Sequence, residues 1–177
     1  MTRLLAFSLA APLLAGCASV EPVAPAAGGD AFSGRLSLRV EPLDTAPARA
    51  FSAAFDLRGD PAAGALGLST PLGSMLAQAR WKAGAVVLVT PQGTRQFADL
   101  DGLTRAVLGE SVPIEAWFDW LRGRPWPGAP STPRPAGAGF DQLGWTVDLA
   151  RFAEGAVSAA RREPQPAVAV RIQLDGS

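Results

Sequence analysis

Between Phe32 and Val40 the chain alternates, with Phe32, Leu36, Leu38 and Val40 on one face, Ser33, Arg35, Ser37 and Arg39 on the other, and Gly34 interrupting the apolar row. A period of two predicts a strand buried on one face. "FSAAFDLR" repeats the arrangement, placing Phe51, Ala53, Phe55 and Leu57 inward and Ser52, Asp56 and Arg58 outward, before Gly59, Asp60 and Pro61 break it. Runs over 64–70, 75–81 and 85–90 continue the series. Their connections ("STPLGS", Lys82 to Gly84, Pro91 to Gly93) are too short for parallel crossovers, so an antiparallel meander is expected. In the first of them, Thr70-Pro71-Leu72-Gly73 fits a type I turn with proline second and glycine fourth. That leaves Leu72 third, with its side chain pointing off the sheet.

Near Asp99 the period changes. Leu100, Leu103, Val107 and Leu108 sit at helical spacing behind the candidate caps Asp99 and Asp101, and Gly109 ends the segment. A second helix has Ser111 as its candidate cap, Pro113 in its first turn and Gly123 as its stop; Ile114, Trp117, Phe118 and Leu121 form its apolar stripe, with Trp120 beside it. Residues 123–139 are a Pro/Gly-rich excursion without a period. Alternation resumes in Trp145, Val147 and Leu149, preceded by Phe140 and Leu143, and closes in Val168, Val170, Ile172 and Leu174. Eight to eleven strands interrupted by one helical pair make a mainly β (α+β) pattern that suits a sheet curling toward a barrel.

A sheet with one apolar face must cover it, and the helical pair is the obvious cover, acting as a lid or plug. Ala53, Ala77 and Ala79 are small beside their inward Phe and Leu neighbours. Two interiors are therefore open: an apolar cavity of the kind that holds small ligands, or a core filled by Trp117, Phe118 and Trp120. On the residues alone, the close packing of protein interiors favours the second.

Composition narrows the function. At 177 residues the chain suits one domain with accessory segments. Its 16 basic residues balance 16 acidic ones with no basic run, which argues against nucleic acid as a partner. It has no histidine and no tyrosine, so the commonest general base and metal ligand are missing. A Ser-His-Asp hydrolase is thereby ruled out, and no paired-carboxylate motif or phosphate-binding loop stands out. No catalytic residue, metal site or cofactor is expected. The single cysteine, Cys17, excludes an intramolecular disulfide.

Cys17 follows a positive start and the apolar run Leu4 to Leu14, which is too short to span a bilayer comfortably. Residues 1–16 are thus expected to be a secretory signal, and "LLAGC" resembles the bacterial lipobox, which implies a multiply acylated, stably anchored cysteine. Ala18 is not the aspartate that typically retains such lipoproteins at the inner membrane, so the periplasmic face of the outer membrane is the implied location. Residues 18–30, rich in Ala, Pro and Gly, complete a tether over 17–30 that reaches at most about 45 Å. A single folded domain is expected over 31–177.

Taken in order, the lipobox, "FSGRLSLRV", "LGLSTPLGSMLAQARW", "VPIEAWFDWLRGRPWPG", "LGWTVDL" and "VAVRIQL" resemble the LolB family of outer-membrane lipoproteins, from Cys17 to about Leu174. The chain departs from that pattern in its Pro/Ala-rich 123–139 loop and in ending soon after Leu174 without the family's late tryptophan. The resemblance implies an unclosed antiparallel β-barrel with a helical lid around an apolar cavity. It also implies a function: receiving lipoproteins from a LolA-like periplasmic carrier by binding their acyl chains, and inserting them into the outer membrane. Candidate cavity residues are Phe51, Phe55, Leu66, Leu68, Leu88, Trp117, Trp120, Leu121, Trp145 and Val147. Pro71, Leu72 and Gly73 form a candidate membrane-insertion loop. No cofactor beyond the covalent lipid on Cys17 and no oligomer is implied. Arg35, Arg39, Arg80 and Lys82 can meet an acidic carrier, or simply form a solvated strand face. The rival function is a structural or assembly lipoprotein acting by protein–protein contact.

Overall fold

A computed structural model describes residues 29–135 and 137–176; Cys17 and the segment around it lie outside them. Eleven strands form one antiparallel sheet: β1 (Asp30–Val40), β2 (Arg49–Gly59), β3 (Gly64–Ser69), β4 (Met75–Lys82), β5 (Ala85–Thr90), β6 (Gly93–Phe97), β7 (Ser131–Pro133), β8 (Gly139–Gln142), β9 (Trp145–Asp148), β10 (Ala156–Arg161) and β11 (Val168–Leu174). Their order is β6-β5-β4-β3-β2-β1-β11-β10-β9-β8-β7. The outermost strands β6 and β7 do not pair, so the barrel is unclosed. The last strand lies at the centre, hydrogen-bonded to β1 and β10, so the gap falls in mid-chain.

The alternation expected in β1, β2 and β11 is present: Leu36, Leu38, Val40, Ala53, Phe55, Leu57, Val168, Val170 and Ile172 are buried. Strand β1 starts at Asp30, the last residue of the segment read as a tether, which pairs with Gly59. The glycine that interrupts the apolar row of β1 has a packing reason. A Cβ on Gly34 would run into the Gln173 carbonyl oxygen of β11, an obstacle that is backbone and cannot swing away. Gly34→Ala is therefore expected to destabilise the domain by about 3 kcal/mol, the upper end for overpacking, as measured by urea unfolding.

Helix α1 (Leu100–Leu108) is capped by Asp99, whose carboxylate accepts the Gly102 N–H at 2.7 Å. It ends on Gly109, which at φ 79° occupies the left-handed region. Its buried residues are Leu100, Leu103 and Thr104; Val107, expected on the apolar face, is exposed. Helix α2 (Ile114–Trp120) begins at Pro113, not at a Ser111 cap. The Ser111 hydroxyl instead donates to Asp101, and this bond, with Arg105 beside it, holds the Asp101 carboxyl below its ordinary range.

Helix α2 lies in the core. Phe118, at 0% exposure, meets Trp81 edge-on with centroids 6.1 Å apart, while Trp120 packs against Phe140 and Trp145. Among the described residues, the helices, sheet and core all fall within 30–175.

The Pro/Gly-rich excursion, read as aperiodic, contributes edge strand β7 and is fastened by one side chain. Gln142 is 3% exposed; its Oε1 accepts the Trp120 indole N–H and the Trp126 N–H, and its amide nitrogen donates to the Trp126 and Ala129 carbonyls, all within 2.9 Å. Leu143, expected among the strand's apolar residues, is the next residue and belongs to the β8–β9 turn, exposed at φ 54°.

Candidate functional site

Strand register gives the sheet two distinct ends. Strands β1, β3, β5, β8 and β10 all run toward the same end, where the turns 41–48, 70–74, 91–92, 143–144 and 162–167 lie. The α1–α2 connection reaches this end too, with Glu110 paired to Arg161 at the end of β10 and Gly109 packed under the Arg49 guanidinium. At the opposite end, beyond the C-terminus of α2, Arg122 pairs with Asp30.

The exposed large apolar side chains among the described residues are Leu43, Leu72, Met75, Leu76, Val107 and Leu143. All six belong to the first end: Leu43, Leu72 and Leu143 in its turns, Met75 and Leu76 at the start of β4, and Val107 in the last turn of α1.

The tip of the β3–β4 hairpin is built as its sequence demands. The Gly73 N–H donates to the Thr70 carbonyl at 2.9 Å, the Thr70 N–H to the Ser74 carbonyl at 2.8 Å, and the Ser74 N–H to the Thr70 hydroxyl at 3.1 Å. This is a type I turn followed by a left-handed glycine, Gly73 at φ 85°. None of these bonds uses the Leu72 side chain, which is 95% exposed. One residue further, the ladder slips: Leu68 pairs with Ala77 but Ser69 with Met75, so Leu76 is an unpaired bulge residue. The bulge leaves two consecutive apolar side chains, Met75 and Leu76, facing solvent beside the leucine tip. Sequence alternation alone gave no sign of them.

All ten candidate cavity residues belong to one apolar core. Phe55, Leu66, Leu88, Trp117, Trp120, Leu121, Trp145 and Val147 are buried, and Phe51 and Leu68 are half-buried against them. They do not enclose a large void. The interior cavity has about 10 Å³, room for roughly one water-sized sphere. Of the ten, Trp117, Trp120 and Leu121 line it, together with Val157, Ala159, Val170 and Ile172. An acyl chain can occupy this place only where the α2 side chains draw back from β10 and β11.

A larger recess, about 490 Å³, lies elsewhere. It sits on the outer face of the sheet, where Arg35, Ser37, Ser52, Ser158 and Arg171 ring it with polar and charged groups. Of the four cations considered for a carrier, Arg39 is paired with Glu41 at 2.8 Å; Arg35, Arg39 and Arg80 alternate with inward residues and so face outward, and Lys82 is exposed at the end of β4.

Four buried polar residues went unrecognised in the sequence, Thr104, Asp119, Gln142 and Arg161, and two of them bear on the interior. Arg161 follows Val157 and Ala159 on the inner face of β10; its guanidinium bonds Glu110 at 2.5 Å and lies 5.8 Å from the centre of the Trp145 ring. Gln142, described above, is the other. Burial also pushes the Glu115 carboxyl up from its ordinary range. Among the described residues no cluster of three or more metal-ligating side chains occurs, and no helix is long and apolar enough to cross a membrane.

The family model for the outer membrane lipoprotein LolB matches residues 31–175, which take in both helices and all of the sheet but its first residue. The chain is 35% identical to the outer-membrane lipoprotein LolB of Bordetella pertussis over 175 residues, covering 92% of this chain and 86% of that protein. Similar matches are the LolB proteins of Ralstonia nicotianae (36% identity, 85% and 77% covered) and Chromobacterium violaceum (33% identity, 86% and 84% covered). An open sheet plugged by a tryptophan-rich helix, matched from first strand to last, makes this chain a member of the LolB family, outer-membrane lipoproteins of the Lol pathway and not enzymes.

Proposed function

We propose that the chain receives lipoproteins from a LolA-like periplasmic carrier, holds their acyl chains between α2 and the inner face of β10 and β11, and inserts them into the inner leaflet of the outer membrane. In this reading residues 1–16 are the signal segment, acylated Cys17 is the anchor at the start of a 17–30 tether, and the domain from 31 onward works as a monomer. Pro71, Leu72 and Gly73 form the loop that enters the headgroup region. The observation that carries the reading is the gathering of all six exposed large apolar side chains at one end of the sheet. Such a concentration marks a membrane or partner contact, unlike apolar residues scattered singly.

An acyl chain needs apolar walls and no specific polar partner along its length, each buried methylene contributing about 0.8 kcal/mol. Trp117, Trp120 and Leu121, with Val157, Ala159, Val170 and Ile172, supply such walls, and the other seven candidate residues extend the apolar core around them. The chain has no phosphate-binding loop, so transfer runs down a gradient of affinity from carrier to domain to membrane.

The test uses a chain lacking residues 1–17, which keeps every residue of the sheet, helices and core. Mixed with a carrier loaded with lipoprotein, it is expected to pull the lipoprotein down without added nucleotide. Failure by a domain shown to be folded would favour the rival reading, a packed β-domain acting by protein–protein contact. The small interior cavity is the observation on that side.

A further inference from the structure

Arg161 is an unusual residue to find on an apolar inner face. Val157, Ala159 and Arg161 alternate inward along β10, and the first two line the interior cavity. Arg161 stands next in the row, at the end of the sheet that carries the leucine tip. Its side chain is 8% exposed and that of its partner Glu110 is 16% exposed. One terminal nitrogen bonds Glu110, and the ring of Trp145 lies alongside. The Nε–H is buried and has no hydrogen-bond partner among the described residues; it is the one such buried side-chain atom found there.

A buried donor left without an acceptor is costly, and an ion pair does not remove that cost from the guanidinium's third edge. An apolar side chain of similar size would pack at this position without it. The arginine is accounted for if an acceptor arrives with the ligand. An acyl group brings one in the right place, because its carbonyl oxygen sits where the hydrocarbon chain begins. With the chain laid along Ala159 and Val157, the carbonyl falls at Arg161.

We propose that Arg161 is a carbonyl-recognition site at the mouth of the acyl-chain pocket, its Nε–H donating to the ester or amide carbonyl of a bound acyl group. Glu110 orients the guanidinium and ties the α1–α2 connection to the occupied site. The proposal rests on the acyl-binding reading above and goes beyond it in two respects. It makes the site selective for acyl esters and amides over plain alkyl chains, and it fixes the ligand's direction: tail inward, head group emerging at the end that bears Leu72.

The experiment titrates the chain lacking residues 1–17, by its tryptophan fluorescence, with dioctanoylglycerol and with the dioctyl ether of glycerol, which differs in lacking the carbonyls. The wild-type protein is expected to bind the ester at least about tenfold more tightly, the difference made by one hydrogen bond to a charged donor. In the double variant Arg161→Met, Glu110→Gln, which leaves no buried charge unpaired, the preference is expected to fall to about one while ether binding is kept. Equal binding of the two lipids by wild type overturns the carbonyl site and leaves the acyl-binding reading standing, and so does a tenfold preference that survives in the double variant. Binding of neither lipid overturns both. Because equal binding by the wild-type protein overturns the proposal on its own, a double variant that fails to fold does not shield it.

Discussion

Leu72→Glu is expected to leave the protein folded and able to take lipoprotein from its carrier, and to cut the insertion of that lipoprotein into vesicles of outer-membrane lipid by tenfold or more. The fold is indifferent because nothing in it uses the side chain. Leu72 is 95% exposed, and the hydrogen bonds of its turn run between Thr70, Gly73 and Ser74. Thermal unfolding should therefore coincide with that of wild type, as for surface substitutions generally. Burying one leucine contributes about 1.5–3 kcal/mol, which corresponds to a factor of roughly 10 to 150 in the population of the membrane-engaged state. Glutamate removes that gain and adds a charge that resists entry. Leu72→Ala should fall between the two. Insertion at the wild-type rate by the glutamate variant would remove the tip from the mechanism and leave Met75 and Leu76 as the remaining apolar contacts at that hairpin.

The largest stability loss from a single polar side chain is expected at Gln142. It satisfies four groups at once: the Trp120 indole N–H, the Trp126 N–H and the carbonyls of Trp126 and Ala129. Gln142→Leu keeps the volume but strands all of them, each unsatisfied buried group costing about 1–3 kcal/mol before water reaches it. A net loss of about 3 kcal/mol or more follows, read as a lower urea midpoint. Hydrogen exchange should accelerate over 125–130 ahead of global unfolding, since Gln142 ties down that stretch through Trp126 and Ala129, whereas 131–133 are also held by strand pairing to β8. Gln142→Glu should be little better, because it turns the two donated bonds into repulsive contacts with carbonyl oxygens. Unchanged exchange in the leucine variant would mean that the segment is held by something else.

The parts of the fold that were legible in the sequence are those where one face is buried and the other wet. Strands β1, β2 and β11 lie together in the middle of the sheet, and their alternation of Leu, Val, Ile and Phe with Arg and Ser follows from that position. Strand β6, with Gly93 to Gln96 all exposed, is an edge with no apolar face to display. Strand β10 carries small residues outward and an arginine inward, so its alternation of burial is not one of hydrophobicity.

The same physics divides the site. Turn chemistry fixed Leu72 at an exposed position, because Pro71 and Gly73 leave the tip little choice. Met75 and Leu76 owe their exposure to a one-residue slip, which no periodicity records. Membership of the core was readable for all ten candidate wall residues. Which three line the small cavity was not, since that depends on how side chains from α2 and the far strands interlock. Gln142 and Arg161 were missed because a polar residue beside a turn looks the same in sequence whether it is solvated or buried.

The direction of β1 has a consequence for posture. Its 11 residues span about 36 Å, and the chain enters at Asp30, the end away from the leucine tip. If Cys17 is the anchor, the 13 residues from there to Asp30 reach at most about 45 Å. On the proposed reading, a slack leash would leave the domain with its apolar end turned from the bilayer, open to a carrier arriving through the periplasm. Bringing that end onto the membrane means inverting the body and drawing the leash out along its flank, nearly to full extension. On that reading, pick-up and delivery would differ by a half-turn of the whole domain, and the number of residues between Cys17 and Asp30 would match the height of the sheet they must pass.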